Sequence, residues 1–421
     1  LPFKKLGLIV VDEEHDGSYK QEDNIRYQAR DLAIVRGQID KALIILSSAT
    51  PSLETQNNIN KKKYKHVYLA SQFSGIKLPP IHLIDLKQNK LEKNKWVSNK
   101  IYEELQIVLS KKEQGLLFLN RRGYSPLSLC IECGYRYQCQ QCTSWLVMHQ
   151  GKKRLVCHHC GSIYPIEPDC PNCLAKDSIK LIGPGVERLE EELKLLFPTK
   201  SIRIMSSDNA NTPNKIKRII DDFENKKIDI LVATQIMAKG YDFPNLSFVG
   251  VIDADSGLLG GDMRAIEKTY NLLQQVSGRA GRSKKQGKVL IQTYYPEQPV
   301  IQSLKKRDRK KFIEQSLKDR EEFLIPPFGF MTALILSGSS KVRTETYGRK
   351  IIQASKIPQN LSILGPVEAP IFLLRGQYRF RILIKGSSRQ KLNQFTRFIL
   401  KKCPIPTTIK LVVDVDPYSF M

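Results

Sequence analysis

Eight of the nine cysteines fall into four C-x2-C pairs: Cys130/Cys133, Cys139/Cys142, Cys157/Cys160 and Cys170/Cys173. Two thiolates at that spacing on one tight turn reach the same ion, and two such pairs complete a closed tetrahedral zinc shell. Eight thiolates thus make two zinc sites of structural type, with no open position for catalysis. Cys139/Cys142 and Cys157/Cys160 are 14 residues apart, which suits a zinc ribbon on two hairpins. In this nested arrangement Cys130/Cys133 and Cys170/Cys173 share the other ion. Sequential pairing stays open, but it needs four ligands within the 13 residues from 130 to 142. Disulfides do not suit a chain without secretory features, and iron–sulfur clusters use other spacings. His158 and His159 read as neighbours of these sites rather than ligands, and Cys403 stands alone as a semi-buried side chain.

A second chemistry sits at VVDEEH, residues 10 to 15. An acidic pair at the carboxyl end of a buried strand is where a nucleotide-hydrolysing α/β domain holds magnesium and activates water. Asp12 would orient the metal's water shell and Glu13 would be the general base. Taken alone, DEEH is equally a solvated acidic turn. Three further blocks keep it company. SSAT (47 to 50) is a short polar turn after the next strand. ATQIMAKGYDFP (233 to 244) follows another strand, and its polar loop, with Lys239, can touch a nucleic-acid backbone. QVSGRAGR (275 to 282) carries Arg279 and Arg282 three apart, which puts both on one side of a helix. Gly278 and Gly281 allow close approach, and an arginine across a cleft from the phosphates stabilises charge during phosphoryl transfer.

These groups need elements to position them. LGLIVV (6 to 11) and ALIIL (42 to 46) read as buried parallel strands. Between them, YQARDLAIVRGQ (27 to 38) has helical spacing, with Ala29, Leu32, Ala33 and Arg36 on neighbouring turns. Strand, helix, strand is the unit of an α/β domain. The pattern resumes with strands at 116–120, 201–205, 228–234 and 248–255. A helix over 185–197 carries Leu189, Leu193 and Leu196 on one stripe. A second helix is capped by Thr212 and opened by Pro213, with Ile216, Ile219, Ile220 and Phe223 inward. In QYRFRILIKG (377 to 386), Tyr378, Phe380, Ile382 and Ile384 alternate with Arg379, Arg381 and Lys385, and the apolar set is expected in the core.

The chain has 421 residues, enough for several cores, and 67 Lys and Arg against 42 Asp and Glu, a net charge of +25. From residue 301 onward 23 basic residues face nine acidic ones, so more than half of the excess lies in the last 121 residues. A polyanion is the partner such a balance points to. No apolar run approaches the roughly 18 residues that span a bilayer. The opening LPFKKLGLIVVDEEH has no secretory signal pattern and no initiating Met, so the tail of a longer reading frame is expected.

The blocks DEEH, SSAT, the 233–244 loop and QVSGRAGR resemble, in this order, motifs II, III, V and VI of superfamily-two helicases. DEEHDGSYKQ, the ARDLAIVR helix, NRRGYSP, the four cysteine pairs inside the second motor domain and the ending DVDPYSF resemble the PriA family of bacterial replication-restart helicases over essentially the whole chain. The resemblance implies an α/β fold. Residues 1–70 are the remainder of one RecA-like lobe, 71–129 and 174–304 a second lobe, 130–173 a two-zinc insertion, and 305–421 a basic C-terminal α+β domain that grips fork DNA. It implies a 3′-to-5′ DNA helicase, driven by ATP and magnesium, that acts at stalled forks and displacement loops and reloads the replicative helicase. Its partners would be forked and single-stranded DNA, other primosome proteins and single-stranded-DNA-binding protein, in the bacterial cytoplasm at the nucleoid.

Carried over by position, Asp12 and Glu13 serve magnesium and water, and His15 links hydrolysis to DNA contact. Gln275, Arg279 and Arg282 face the nucleotide. Residues 16–28 match an aromatic-rich loop that senses single-stranded DNA, where Tyr19, Arg26 and Tyr27 suit stacking and phosphate contact.

One part of the pattern is missing. No Gly-Lys-Thr or Gly-Lys-Ser loop exists here to cradle phosphates, since Gly151-Lys152 precedes Lys153 and Gly287-Lys288 precedes Val289. The family places that loop before the DEEH strand. The isolated chain is therefore expected not to bind ATP tightly or unwind DNA. The alternative function is a non-catalytic zinc-bearing module that binds fork DNA and proteins.

Overall fold

The computed structural model describes residues 5–418 apart from 23–24, 70–77, 93–94, 120–126, 131–132, 134, 136, 138–145, 150–153, 157–161, 166–168, 177, 183–184, 207–211, 235–242, 256–257, 259–263, 282–286 and 355. The chain forms two compact units, residues 69–312 and residues 1–68 with 313–421. The division falls within the helix Arg309–Glu322.

The 69–312 unit is built on six parallel strands. Their order is Ile202–Met205, Ile230–Ala233, Gln114–Leu119, Leu246–Asp253, Lys288–Thr293 and Ile81–Asp85. The central strands are continuous apolar runs because helices cover the sheet; Leu116, Leu117 and Phe118 have no exposed surface. Helix Asn99–Ser110 buries Ile101, Leu105, Val108 and Leu109, and helix Val186–Leu196 buries Val186, Leu189 and Leu193 in the same core. The stripe expected on the second of these helices faces inward. Thr212 caps helix Pro213–Glu224 by accepting from the Lys215 amide, and Ile220 and Phe223 are buried. The second Gly-Lys pair leads into a strand, with Lys288 paired to Glu104, which explains why it forms no phosphate loop. A separate antiparallel five-stranded sheet runs in the order Ile163–Pro165, Arg154–Val156, Val147–His149, Leu127–Cys130 and Ile179–Ile182.

In the other unit, Leu8–Val11 pairs in parallel with Leu43–Leu46, joined by helix Ala29–Asp40. Gly37 lets that helix approach the sheet, since a Cβ there would sit 2.4 Å from Ile44. The parallel pairing meets expectation, but the burial does not. Leu8, Val10, Leu43 and Ile45 are 44–64% exposed. The helix covers one face, and no described residue covers the other.

The same unit holds an antiparallel sheet in the order Leu361–Leu374, Gln377–Gly386, Phe330–Gly338 and Ile409–Val415. Helices Lys341–Gln353 and Arg389–Lys402 bury Tyr347, Ile351, Leu392, Phe395 and Ile399 against it. Phe380, Ile382 and Ile384 point into this core, as alternation requires, and Cys403 is fully buried rather than half-buried. Among the described residues no helix is long and apolar enough to cross a membrane.

Candidate functional site

The strand Leu8–Val11 delivers Asp12 and Glu13 at its carboxyl end, and both side chains are exposed. The Asp12 carboxylate accepts from the Glu13 amide at 3.0 Å, and the Tyr19 hydroxyl donates to the Asp12 carbonyl at 2.6 Å. Glu13 has φ +47°, the left-handed region that a side chain rarely adopts. His15 joins this turn to the next strand's end: its Nδ1 shares a 2.7 Å hydrogen bond with Ser48 Oγ, and its Nε2 lies 3.3 Å from Thr50 Oγ1. Ser48 Oγ also accepts from the Thr50 amide. The acidic turn and the 47–50 turn are therefore one hydrogen-bonded assembly, with two carboxylates facing solvent. Such a pair fits a hydrated magnesium ion.

Glu14, between Glu13 and His15, is sealed from solvent. Its carboxylate is 1% exposed and accepts from Arg30 Nη1 at 3.0 Å, the Ser52 amide at 2.6 Å and the Ser52 hydroxyl at 3.1 Å. A third acid beside two exposed ones carries no signal of its burial, because its partners lie 16 and 38 residues away.

The aromatic-rich segment begins with a 3-10 turn, Gly17–Tyr19, capped by Asp16, and continues as the pair Lys20–Gln21 with Tyr27–Gln28. Tyr27 is exposed, whereas Arg26 pairs with Asp414 at 2.8 Å. Lys20 reaches the other oxygen of the same buried carboxylate, also at 2.8 Å. Arg379 and Arg381 lie on the Asp414 face of the C-terminal sheet, as the register requires. Burial and the charges of Arg379 and Arg26 push Arg381 down to about 10. Tyr418 donates to the His15 carbonyl at 3.0 Å.

In the 69–312 unit, helix Ala265–Ser277 carries Gln275, but it stops at Ser277 with Gly278 as its cap. Arg279 is buried in the turn that follows, not on the helix expected from its spacing. Gly281, at φ +69°, donates its amide to the Leu246 carbonyl, and a Cβ on Gly287 would collide with the Gly281 nitrogen at 2.6 Å. Backbone packing around these glycines forces the turn. Arg282 and Lys239 lie outside the described residues.

The sulfurs of Cys133, Cys170 and Cys173 all lie within 4.8 Å of one another, with Cys133 and Cys170 3.6 Å apart. Leu174 closes the second turn, donating to the Cys170 carbonyl at 2.9 Å with φ +58°. Hydrogen bonds from the Asn172 side chain and the Tyr135 backbone hold the Cys133 thiol below its usual range. Three gathered thiols, one of them readily ionised, fit a zinc ion. Cys139, Cys142, Cys157 and Cys160 and the Cys130 side chain lie outside the described residues.

Comparison with known proteins gives three family matches. They are the primosomal protein N C-terminal domain over 321–418, the helicase conserved C-terminal domain over 174–284, and the PriA DNA helicase Cys-rich region over 139–165. The mixed α/β architecture with a parallel sheet agrees with the helicase match. The replication restart protein PriA of Rickettsia conorii is 47% identical over 420 residues, 100% of this chain and 65% of the relative. Its counterpart in Haemophilus influenzae is 38% identical, over 99% of this chain and 57% of the relative. That of Bacillus subtilis is 36% identical, over 100% and 53%. The chain thus spans less than two thirds of these relatives. Among solved structures it is similar to S. cerevisiae Dbp5 bound to RNA and ADP BeF3, with TM-score 0.38, 14% identity, and 75% of this chain and 65% of that one covered. RecG bound to a three-way DNA junction matches with TM-score 0.39, 14% identity, and 76% and 30% covered.

Proposed function

This chain belongs to the PriA family of replication restart proteins, and on that premise we propose that it forms the C-terminal part of an ATP-driven 3′-to-5′ DNA helicase. The helicase acts at stalled forks and displacement loops, with primosome proteins and single-stranded-DNA-binding protein as partners. The observation that carries this reading is the joined pair of turns. Asp12 and Glu13 stand exposed at a strand end while His15 is bonded to Ser48 and close to Thr50. Magnesium-bound ATP supplies the phosphoanhydride when present. Asp12 would hold the metal's water shell, and Glu13 would accept the proton of the attacking water. His15 ties both to the 47–50 turn, and Gln275, Arg279 and Arg282 stabilise charge on the nucleotide.

Tyr19, Tyr27, Arg26 and Lys239 serve single-stranded DNA, and the basic region from 305 onward serves the fork. Two zinc ions shape the insertion at 130–173. The grouping of Cys133 with Cys170 and Cys173 supports the nested assignment, with Cys130 as the fourth ligand of zinc 1 and Cys139, Cys142, Cys157 and Cys160 on zinc 2.

The test is ATP hydrolysis by this chain and by a fusion that places it behind the unmatched N-terminal part of the Rickettsia conorii relative, with and without single-stranded DNA. DNA-stimulated hydrolysis in the fusion, reduced at least about 100-fold by Glu13→Gln, is expected, since a general base contributes roughly 10²–10⁴-fold. Fork binding without hydrolysis in either form would sink the motor reading and favour the non-catalytic module.

A further inference from the structure

The left-handed backbone at Glu13 persists only because its neighbours hold it, and the holding residues are specific. The Glu14 amide donates to the Ser47 carbonyl at 3.1 Å, which fixes the turn against the second strand's end. The Glu14 carboxylate is then locked by Ser52 and Arg30. Ser52 caps helix Leu53–Asn60 and lies two residues beyond Thr50 of the turn that holds the partners of His15. Arg30 lies in the first turn of helix Ala29–Asp40, two residues after the hairpin strand Tyr27–Gln28. Its guanidinium also donates to Asp31 at 2.9 Å and to the Ser52 hydroxyl at 3.0 Å. Burial opposes the Arg30 charge, but Asp31, Glu14 and Glu54 outweigh it and hold the group above its ordinary value. Glu14 therefore connects three pieces of chain to the acidic turn: its amide holds the 47–50 turn, and its carboxylate holds Ser52 at the start of the next helix and Arg30 at the root of the hairpin.

We propose that Glu14, gripped by Arg30 and Ser52, is a positioning residue that sets the conformation of Glu13 and passes to it the state of the 16–28 hairpin. The inference rests on the reading of Glu13 as the hydrolytic base and of the hairpin as a sensor of single-stranded DNA. The geometry gives the route. A displacement of Tyr27–Gln28 acts on the first turn of the helix, where Arg30 lies. Arg30 cannot move without dragging or releasing Glu14, because an unpaired carboxylate at that depth is costly. Glu14 is bonded through its backbone to the residue whose φ is strained. A plain core ion pair would stabilise the unit equally but would transmit nothing.

Amide hydrogen exchange on this chain, with and without an oligo-dT strand, separates the two. In the wild type, oligo-dT is expected to change exchange both in 16–28 and at the amides of Asp12 to His15. In Glu14→Gln and Arg30→Gln the hairpin response should remain and the response at 12–15 should be lost. Arg30→Lys, which keeps charge without the forked donor, should retain part of it. Thermal unfolding of each variant identifies those that stay folded, and the mildest change, Arg30→Lys, carries the comparison if the others do not. A full response at 12–15 in folded variants would overturn the proposal. No response of 16–28 in the wild type would instead remove the DNA-sensing reading on which it stands.

Discussion

At the scale of single residues, burial separates the charges that meet solvent from those that hold structure. Asp12 and Glu13 are open to solvent, while Glu14 beside them is sealed. Asp255 is another sealed acid. It is buried after the strand Leu246–Asp253 and accepts from the Tyr294 amide at 2.7 Å and from the Thr293 hydroxyl. Burial pushes its carboxyl up, and these hydrogen bonds only partly offset that. Its folded-state pKa lies above the unfolded value, so between the two the native state binds the extra proton. Stability from this group falls as pH rises through that window, which opens near the ordinary aspartate value of about 3.9. Asp255→Asn keeps an acceptor for Tyr294 but cannot ionise. Urea unfolding across the acid range should show the variant gaining on the wild type as pH rises above about 4. A difference that does not change with pH would count against a buried, titrating Asp255.

At the scale of elements, the two parallel strands with helix Ala29–Asp40 are the informative case. Their inner contacts are close, with Gly37 against Ile44. Their outer surfaces are apolar and open, with Leu8, Val10, Leu43 and Ile45 on the strands and Leu32, Val35 and Ile39 on the helix. The open apolar face of the strands, with Val10 and Ile45 on it, drives association in water. This chain alone is expected to self-associate with rising concentration in sedimentation velocity. Val10→Lys with Ile45→Lys should shift it toward the monomer without a comparable loss of Tm, because neither side chain is buried. Association unaffected by the pair would place the sticky surface elsewhere. The QVSGRAGR segment teaches a related lesson. Three-residue spacing suggested a helix through both arginines, but Gly278 ends it, and the Gly281 amide is taken by the Leu246 carbonyl.

At the scale of the molecule, two compact units with separate cores should unfold separately. Calorimetry is expected to show two transitions. Leu117→Ala, in the six-stranded sheet, should lower one, and Leu334→Ala, in the C-terminal sheet, the other, each by about 3 kcal/mol. The thiols of Cys133, Cys170 and Cys173 belong to the 69–312 unit. A strong chelator should therefore shift the Leu117-sensitive transition and leave the Leu334-sensitive one in place, since metal binding energy is folding energy for the segment that holds the ion. A shift in both would contradict independent units.

The sequence by itself determined what depends on local order. Continuous apolar runs announced the parallel strands, Thr212 and Pro213 announced a helix start, and alternation at 377–386 assigned Phe380, Ile382 and Ile384 to a core. Cysteine spacing announced a metal centre, because two ligands on one turn are a local property. The tertiary structure alone decided what depends on distant partners. It seated Glu14 on Arg30 and Ser52, and it tied Lys20 and Arg26 to Asp414, nearly 400 residues further along. Among the described residues it also left one face of the first two strands uncovered. A side chain's type fixes what it can bond, but the solvent it keeps or loses is set by segments that meet only when the chain has folded.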